Sequence, residues 1–432
     1  MIKRTVIRLA AVALVVFLAL QFVRPNIGNP PVTADLQVPP DVKQILRNSC
    51  YNCHSNETKL AWFDQIVPAY WIVANDVKEA RMRVNFSEIG SHPVGEQKAT
   101  LYEAVHMIHF GAMPLPSYLR VHPDAMVTPA QLAVLRAYLS PPPSSGSAPA
   151  ADIAAADTQY QDWIAGHNTS SQVSAAPNGI AFPSDYKNWK ALSSTDRFDN
   201  KTVRVVLAND IAIKAVAENH VNPWPDGATF AKVAWWQQTG AFFQVEFMIK
   251  DRQKYASTLG WGFARWRGAD LKPYGKDAAF TEECVGCHTP LRKTDYVFTE
   301  PVKGLTEPVN PLLWRVIASA VNHRDATMST LFGNDVAVEC ARAHTQNDYP
   351  AGSSLALVTW AERKDPNWFG ARIPAAPKSM ELVTVNLDAQ RHPWFSYQDF
   401  EGSPLKNVSV QEGATPNERA AYILSQRAAV MP

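Results

Sequence analysis

Four of the five cysteines in the sequence lie in two copies of one pattern, Cys-x-x-Cys-His, at residues 50–54 and 284–288. Two thiols at this spacing can add to the two vinyl groups of a haem, and the histidine beside the second thiol can bind the iron. The sequence therefore predicts two covalently attached c-type haems. The residues expected to hold them are Cys50, Cys53 and His54 for the first haem and Cys284, Cys287 and His288 for the second.

Two other kinds of site share this cysteine spacing, namely redox-active dithiols and halves of zinc sites. A redox dithiol needs no histidine at this position, and a zinc ion needs further ligands that neither segment offers nearby. Both considerations favour haem attachment. The fifth cysteine, Cys340, lies in residues 335–340, whose apolar spacing predicts a buried helix, so we interpret it as a core thiol.

The first haem needs a second axial ligand, and the candidate is Met113 in the segment 111–118. Two prolines hold this segment extended, and a thioether opposite a histidine raises the potential of the iron, which suits electron transfer. His106, Met107 and His109 are alternative ligands, in which case Met113 would be a core residue. Near the second motif no methionine stands in a comparable loop, so that iron is expected to keep an open position.

The elements around the first motif are predicted to be helices. They are expected at residues 41–48, 69–84 and 98–109, with a last helix capped by Thr128. This pattern predicts an all-α, cytochrome c-like domain over residues 35–140. A Pro/Ala/Ser-rich tract at residues 141–179 is expected to be a linker.

The elements around the second motif are predicted to be strands. β-branched and aromatic residues alternate at residues 202–207, 228–236, 241–249 and 258–266, which predicts an antiparallel sheet in a domain spanning residues 180–300. On such a strand Lys232 shares one face with Phe230, Ala234 and Trp236. A lysine among apolar side chains either extends its ammonium to solvent at the sheet edge or has a functional role.

The composition and the N terminus indicate where the protein works. At roughly 150 residues per domain, a chain of 432 residues predicts two or three folded units, and a net charge of +1 argues against a nucleic-acid partner. Residues 1–24 place basic residues before an apolar run that ends at Arg24. The run is short, which favours a cleaved signal peptide, but no Ala-x-Ala-like site follows it, which favours an uncleaved anchor. In either case we expect a periplasmic protein, with a retained segment tethering it to the inner membrane.

The segments Ser49–Thr58 and Met113–Tyr118 resemble the bacterial haem-binding domain family. The likeness covers nearly the whole first domain and implies a small, N-terminally anchored mono-haem cytochrome. It also implies Met113 as the second ligand of the iron.

The segments Trp224–Lys232, Cys284–His288 and Lys293–Thr299 resemble the cytochrome P-460 family and follow one another in the same order. In that family the lysine at the position of Lys232 is covalently cross-linked to the haem macrocycle, so the resemblance implies the same bond here. The related beta-type cytochromes c-prime share the fold without the cross-link. Lys232 therefore separates two functional interpretations.

Residues 301–432 repeat part of the second domain. Leu207–Ala212 recurs as Phe332–Ala337, and Trp224–Gly227 recurs as Tyr349–Gly352, both shifted by 125 residues. At this shift Lys232 becomes Leu357, and no Cys-x-x-Cys-His pattern follows. We therefore predict an α+β multidomain protein in which the helical domain precedes two cytochrome P-460-like modules. The second of these modules has no haem site. We expect it to pack against the first module in place of a second subunit, so the protein is predicted to be a monomer.

The resemblance implies that the second haem oxidises hydroxylamine to the level of nitric oxide or nitrous oxide. Electrons would then pass through the N-terminal haem to an external redox protein or the quinone pool. The alternative is a cytochrome that binds nitric oxide or transfers electrons without catalysis. A di-haem peroxidase is disfavoured, because those enzymes repeat a helical cytochrome domain and this second domain is predicted to be a sheet.

Overall fold

The structure is a computed structural model that describes residues 2–140, 148–166, 173–302, 305, 309–343, 349–408 and 416–432. The chain divides into two compact units, Met1–Ser140 and Pro141–Pro432. The first unit is helical, and the second is built on a large antiparallel sheet. This agrees with the predicted order of a helical region followed by a sheet region.

The helices of the first unit lie close to the predicted positions. Their bounds are α1 Ile2–Leu20, α2 Pro40–Ser49, α3 Tyr51–His54, α4 Ala69–Arg83, α5 Val94–His109, α6 Pro116–Leu119 and α7 Pro129–Leu139. Helix α7 begins as predicted, because the Thr128 hydroxyl accepts from the Gln131 amide and the Gln131 side chain accepts from the Thr128 amide. Within the described residues, no helix is both long and apolar enough to cross a membrane.

Helices α2, α5 and α7 enclose the core of the first unit. Val42 and Leu46 of α2 meet Leu101 of α5 and Leu135 of α7, and each of these side chains is at most 4% exposed. Complete burial of such a side chain contributes about 1.5–3 kcal/mol to folding. This core fixes the end of α2, from which the first Cys-x-x-Cys-His segment continues.

In the described part of the second unit, the strands form one 12-stranded sheet with antiparallel neighbours. Their bounds are β1 Lys190–Arg197, β2 Thr202–Ala208, β3 Thr229–Trp236, β4 Phe242–Lys250, β5 Trp261–Arg267, β6 Lys272–Pro273, β7 Arg315–Asn322, β8 Thr327–Gly333, β9 Ser354–Lys364, β10 Ala371–Leu387, β11 Pro393–Glu401 and β12 Lys406–Val408. The helices are α8 Ala150–Ile164, α9 Asp210–Ala217, α10 Thr281–His288, α11 Asp335–Arg342 and α12 Pro416–Leu424.

The two expected modules are two halves of this one sheet, β1–β6 and β7–β12. They join where Lys190 of β1 pairs with Arg315 of β7, and β1 pairs a second time with β10 through Asp196 and Arg197. One hydrophobic core serves both halves, because Phe247 and Trp266 of the first half share it with Trp360 of the second. Residues 301–432 therefore complete the core of the half that contains the second Cys-x-x-Cys-His motif.

The 125-residue shift recurs in hydrogen bonds as well as in sequence. Asn209 caps α9 and holds the start of β3, and Asn334 caps α11 and holds the start of β9. The Asn209 side chain bonds the backbone of residues 212, 227 and 229, and the Asn334 side chain bonds that of residues 337, 352 and 354. Both halves also place a glycine at φ near +90°, Gly227 and Gly352, a conformation that other residues rarely adopt.

Part of the segment expected to be a linker is folded. Helix α8 occupies residues 150–164 of the tract 141–179, whereas residues 141–147 and 167–172 lie outside the described residues. Tyr160 of α8 is 5% exposed in the shared core, and Gln159 bonds the backbone of Phe242 at both its amide and carbonyl groups. The many alanines that suggested a linker are also strong helix formers, and contacts with the sheet favour the helix.

Candidate haem sites

The first Cys-x-x-Cys-His motif is a helical turn anchored by the residues between its cysteines. Tyr51 is buried, stacks on Phe86 at 5.4 Å between ring centroids, and donates to the Asp35 carboxylate at 2.7 Å. Lys43 completes this group with bonds to Asp35 and to the Tyr51 hydroxyl. The buried side of the turn is thus fixed, while the two cysteines and the histidine remain partly accessible.

His54 is oriented through one of its ring nitrogens. Its Nδ1 lies 3.2 Å from the carbonyl oxygen of Val84, at the end of α4. A hydrogen bond at Nδ1 fixes the tautomer and leaves the Nε2 lone pair available to a metal ion. The ring thus has the arrangement that an axial histidine needs.

Met113 lies in a loop between α5 and α6, as predicted, and is partly buried. Its backbone amide bonds the carbonyl of Met107, which anchors the loop to the end of α5. The loop leads to Tyr118, whose hydroxyl accepts from the Asn52 side chain of the cysteine motif at 3.3 Å. Of the alternatives, His106 is 1% exposed in the helical core, His109 is exposed, and Met107 is partly buried like Met113. Met113 stays the prediction, with these three residues as the alternatives.

The second motif occupies helix α10, which packs on one face of the sheet. Cys284 and Val285 border an apolar cluster that contains Phe230, Trp261 and Phe263. Burial raises the pKa of Cys284 to about 11, and burial raises that of Cys50 to about 12. A reactive dithiol has a lowered pKa, so the direction of these shifts is not that of a redox-active pair.

Lys232 lies on the face of the sheet against which α10 packs. The register aligns Val206, Lys232, Glu246 and Arg265 across strands β2 to β5. The Lys232 Nζ is 2.5 Å from one oxygen of Glu246, and the Arg265 Nε is 2.8 Å from the other. Sequence reasoning identified Lys232 but not its two partners, because each partner is set by strand pairing rather than by local pattern.

The charges in this row change the pKa of the side chains involved. Burial lowers the pKa of Lys232, Arg204 acts in the same direction, and Glu246 opposes both. Burial would raise the pKa of Glu246, but the charges of Lys232, Arg265 and Arg204 hold it well below its usual range. The Lys232 side chain is still 34% exposed, so its amine remains accessible from solvent.

His288 is oriented by a loop that a buried ion pair holds in place. Its Nδ1 lies 2.7 Å from the carbonyl oxygen of Tyr296, again leaving Nε2 as the ligand. Asp295 and Tyr296 both have positive φ, at 50° and 68°, a strained conformation for residues other than glycine. Asp295 binds the Lys250 ammonium at 2.8 Å, and the two side chains are 9% and 2% exposed.

The C-terminal half of the sheet contributes residues that contact Phe298, the aromatic neighbour of His288. Phe298 contacts the His288 ring at 4.8 Å between centroids, and the Phe298 carbonyl accepts from the Asn367 side chain. The neighbouring Trp368 donates to Asp199, which also binds Arg197. These residues were not predicted, because nothing in the local sequence places the loop between β9 and β10 next to the second motif.

The corresponding face of the second half carries a helix in place of a Cys-x-x-Cys-His motif. Leu357 pairs with Glu381 in the register, as Lys232 pairs with Glu246. Glu381 binds Arg419 of α12, and Ile423 of the same helix is completely buried against this face. In the second half, protein side chains thus fill the space that lies beside the cysteine motif in the first.

The donor sets fit haem at both motifs, because each has accessible thiols and a histidine whose Nδ1 is already bonded to a carbonyl oxygen. Residues 15–141 match the haem-binding domain family, and residues 183–299 match the cytochrome P460 family. The protein is therefore a haem cytochrome. It joins a haem-binding domain to a cytochrome P460 domain. Among curated proteins, none matches the chain significantly.

The buried pair of Lys250 and Asp295 yields a prediction about stability. Asp295→Asn leaves a buried ammonium without its counter-charge, so we expect the free energy of unfolding to fall by about 3–5 kcal/mol in denaturant titrations. The loop carbonyl that orients His288 should also shift, changing the absorption of the second haem.

The matched control is Asp226→Asn, because Asp226 pairs with Arg252 at the surface, where both side chains are largely exposed. This variant should leave stability and absorption nearly unchanged. Equal losses in the two variants would contradict a special role for the Lys250–Asp295 pair.

Proposed function

We propose that the protein is a di-haem c-type cytochrome that oxidises hydroxylamine at the haem of residues 284–288. The observation that carries this proposal is the place of Lys232. It lies on the sheet face that packs against α10, close enough to Cys284 for the two groups to interact electrostatically. The matches to two haem families support a haem at each motif.

Lys232 is proposed to be covalently bonded to the macrocycle of the second haem, as the family resemblance implies. A nitrogen nucleophile must be neutral, and burial lowers the pKa of Lys232, which increases its neutral fraction. Forming the C–N bond replaces one N–H and one C–H bond and therefore consumes an oxidant such as peroxide. Glu246 and Arg265 hold the amine in its position on the sheet.

The substrate is proposed to be hydroxylamine, whose oxidation releases protons as well as electrons. The haem supplies the iron that accepts the electrons. Glu246 is the carboxylate next to Lys232, and it is placed to accept a proton. Once the Lys232 nitrogen is bonded to carbon, Glu246 loses a neighbouring ammonium charge, so its pKa rises towards a range in which a carboxylate is a useful base.

The N-terminal haem, held by Cys50, Cys53, His54 and Met113, is proposed to pass the electrons to an external redox protein or to the quinone pool. A histidine and a thioether as axial ligands raise the potential of the iron, which suits an electron acceptor. The basic and apolar N terminus supports export to the periplasm, with tethering to the inner membrane if the segment is retained.

Residues 301–432 are proposed to be a cytochrome P-460-like module that has lost its haem site and replaces a twin subunit within one chain. The repeated asparagine caps and the row that joins Leu357 to Glu381 support this origin. The core shared by the two halves supports a monomer, because the surface that a second copy would cover is already buried.

Lys232→Arg tests the cross-link, because it removes the amine that would form the bond to the macrocycle and keeps a long basic side chain at this position of the sheet. The haem should remain attached through Cys284 and Cys287, but its absorption should move to that of an ordinary c-type haem. We expect hydroxylamine-dependent reduction of the N-terminal haem to slow at least about a hundredfold, equivalent to about 2.7 kcal/mol of barrier.

Lys214→Arg is the control, because Lys214 lies exposed on α9, where it pairs with Glu218. This variant should behave as the native protein does. An undiminished rate in Lys232→Arg would overturn the catalytic proposal, and nitric oxide binding without hydroxylamine turnover in the native protein would favour the non-catalytic alternative.

Met113→His tests the ligand of the N-terminal haem. Replacing a thioether by imidazole should lower the reduction potential of this haem by on the order of 0.1 V or more, within the roughly 0.8 V that axial ligands span. Redox titration followed by absorption measures the shift. Met107→Leu should leave the potential unchanged, and a large change there instead would identify Met107 as the ligand.

A further inference from the structure

Three side chains with metal-binding atoms meet where the two halves of the sheet join. They are Asp196 of β1, Glu362 of β9 and His323 in the turn between β7 and β8. One ligand atom from each lies within 4.8 Å of the others. The Asp196 and Glu362 side chains are 0% and 2% exposed, whereas that of His323 is 36% exposed.

The protein groups around this cluster leave it short of positive charge. Arg372 is the cation beside the two carboxylates, at 3.5 Å from Asp196 and 3.4 Å from Glu362, and both distances are long for strong ion pairs. The Gln237 side chain donates to the other oxygen of Asp196. Two buried carboxylates thus share one guanidinium, which is 38% exposed, and the His323 imidazole, which lies 3.7 Å from Asp196 and is positively charged only when protonated.

Glu362 supplies a separate indication that the cluster binds a ligand. Its Oε1 is buried and has no hydrogen-bond partner among the described residues. A buried carboxylate oxygen without a partner costs roughly 1–3 kcal/mol or more, so such atoms usually face a bound ion or water.

We propose that Asp196, His323 and Glu362 bind a divalent transition-metal ion. One imidazole nitrogen and two carboxylate oxygens suit ions of the Zn²⁺ type, and three protein ligands leave a position for water. The charge of the ion compensates both buried carboxylates, which Arg372 contacts only at 3.4–3.5 Å.

The bound ion ties the haem-bearing half of the sheet to the C-terminal half. Asp196 belongs to the first half, and His323 and Glu362 belong to the second. Successive residues of a strand point to opposite faces, so Arg197, next to Asp196, points to the face that packs against α10. There the Arg197 guanidinium interacts electrostatically with Cys287 of the second motif and binds Asp199. Because its ligands come from both halves, the bound ion would stabilise the junction between them, behind the second cysteine motif.

Zinc binding to the untagged, haem-loaded protein tests this proposal. After removal of metals with a chelator, equilibrium dialysis against Zn²⁺ should find one tightly bound ion per chain by elemental analysis. The bound ion should also raise the Tm of the native protein. Absence of stoichiometric Zn²⁺, or of any rise in Tm, would overturn the proposal without any variant.

Variants locate the ion. Glu362→Gln and His323→Gln each remove a direct ligand of the ion. Mutating a residue that only hydrogen-bonds a metal ligand weakens metal binding roughly 10–100-fold, so we expect a larger loss of Zn²⁺ affinity in each of these variants. His323 is the safer of the two for folding because its side chain is partly exposed. Glu300→Gln, which breaks a surface pair with Arg363, should bind Zn²⁺ as the native protein does. Unchanged binding in both cluster variants would contradict the assignment.

Discussion

The row of charges on the sheet face beside α10 constrains the whole second unit. Lys232, Glu246 and Arg265 lie where an ordinary sheet would place apolar residues, and pairing among them only partly offsets the cost of removing charges from water. The cost of these buried charges is explained if a large apolar group covers the face and reacts with the lysine. A haem attached to α10 would do both, and this is why Lys232 carries more weight in the functional proposal than either cysteine motif alone.

The second half of the sheet shows what happens to the same face without a cysteine motif. Leu357 stands at the place of Lys232, and helix α12 covers the face, with Arg419 as the partner of Glu381. The repeated half thus retains one carboxylate of the row and closes over it with protein. It also gives the first half a shared core and places Asn367 and Trp368 beside the loop that orients His288.

Local sequence predicted much of this structure, because the relevant signals are local. The cap at Thr128, the alternation around Lys232 and the buried helix around Cys340 each depend on neighbouring residues, and each lies where it was expected. The joining of two modules into one sheet, the pairing of Lys250 with Asp295 and the place of α12 depend on residues far apart in the chain. No local pattern encodes such contacts. Helix α8 was missed for a different reason, since its composition suits both a linker and a helix.

The most direct test of the central claim is the chemical state of the haem at Cys284 and Cys287 in the native protein. Peptide mass spectrometry, together with the absorption spectrum of the reduced protein, would report whether that haem is also bonded to Lys232. We expect one haem joined both to the peptide of Cys284 and Cys287 and to the peptide of Lys232, with a Soret band well to the red of an ordinary c-type haem. Two ordinary c-type spectra with Lys232 unmodified would contradict it.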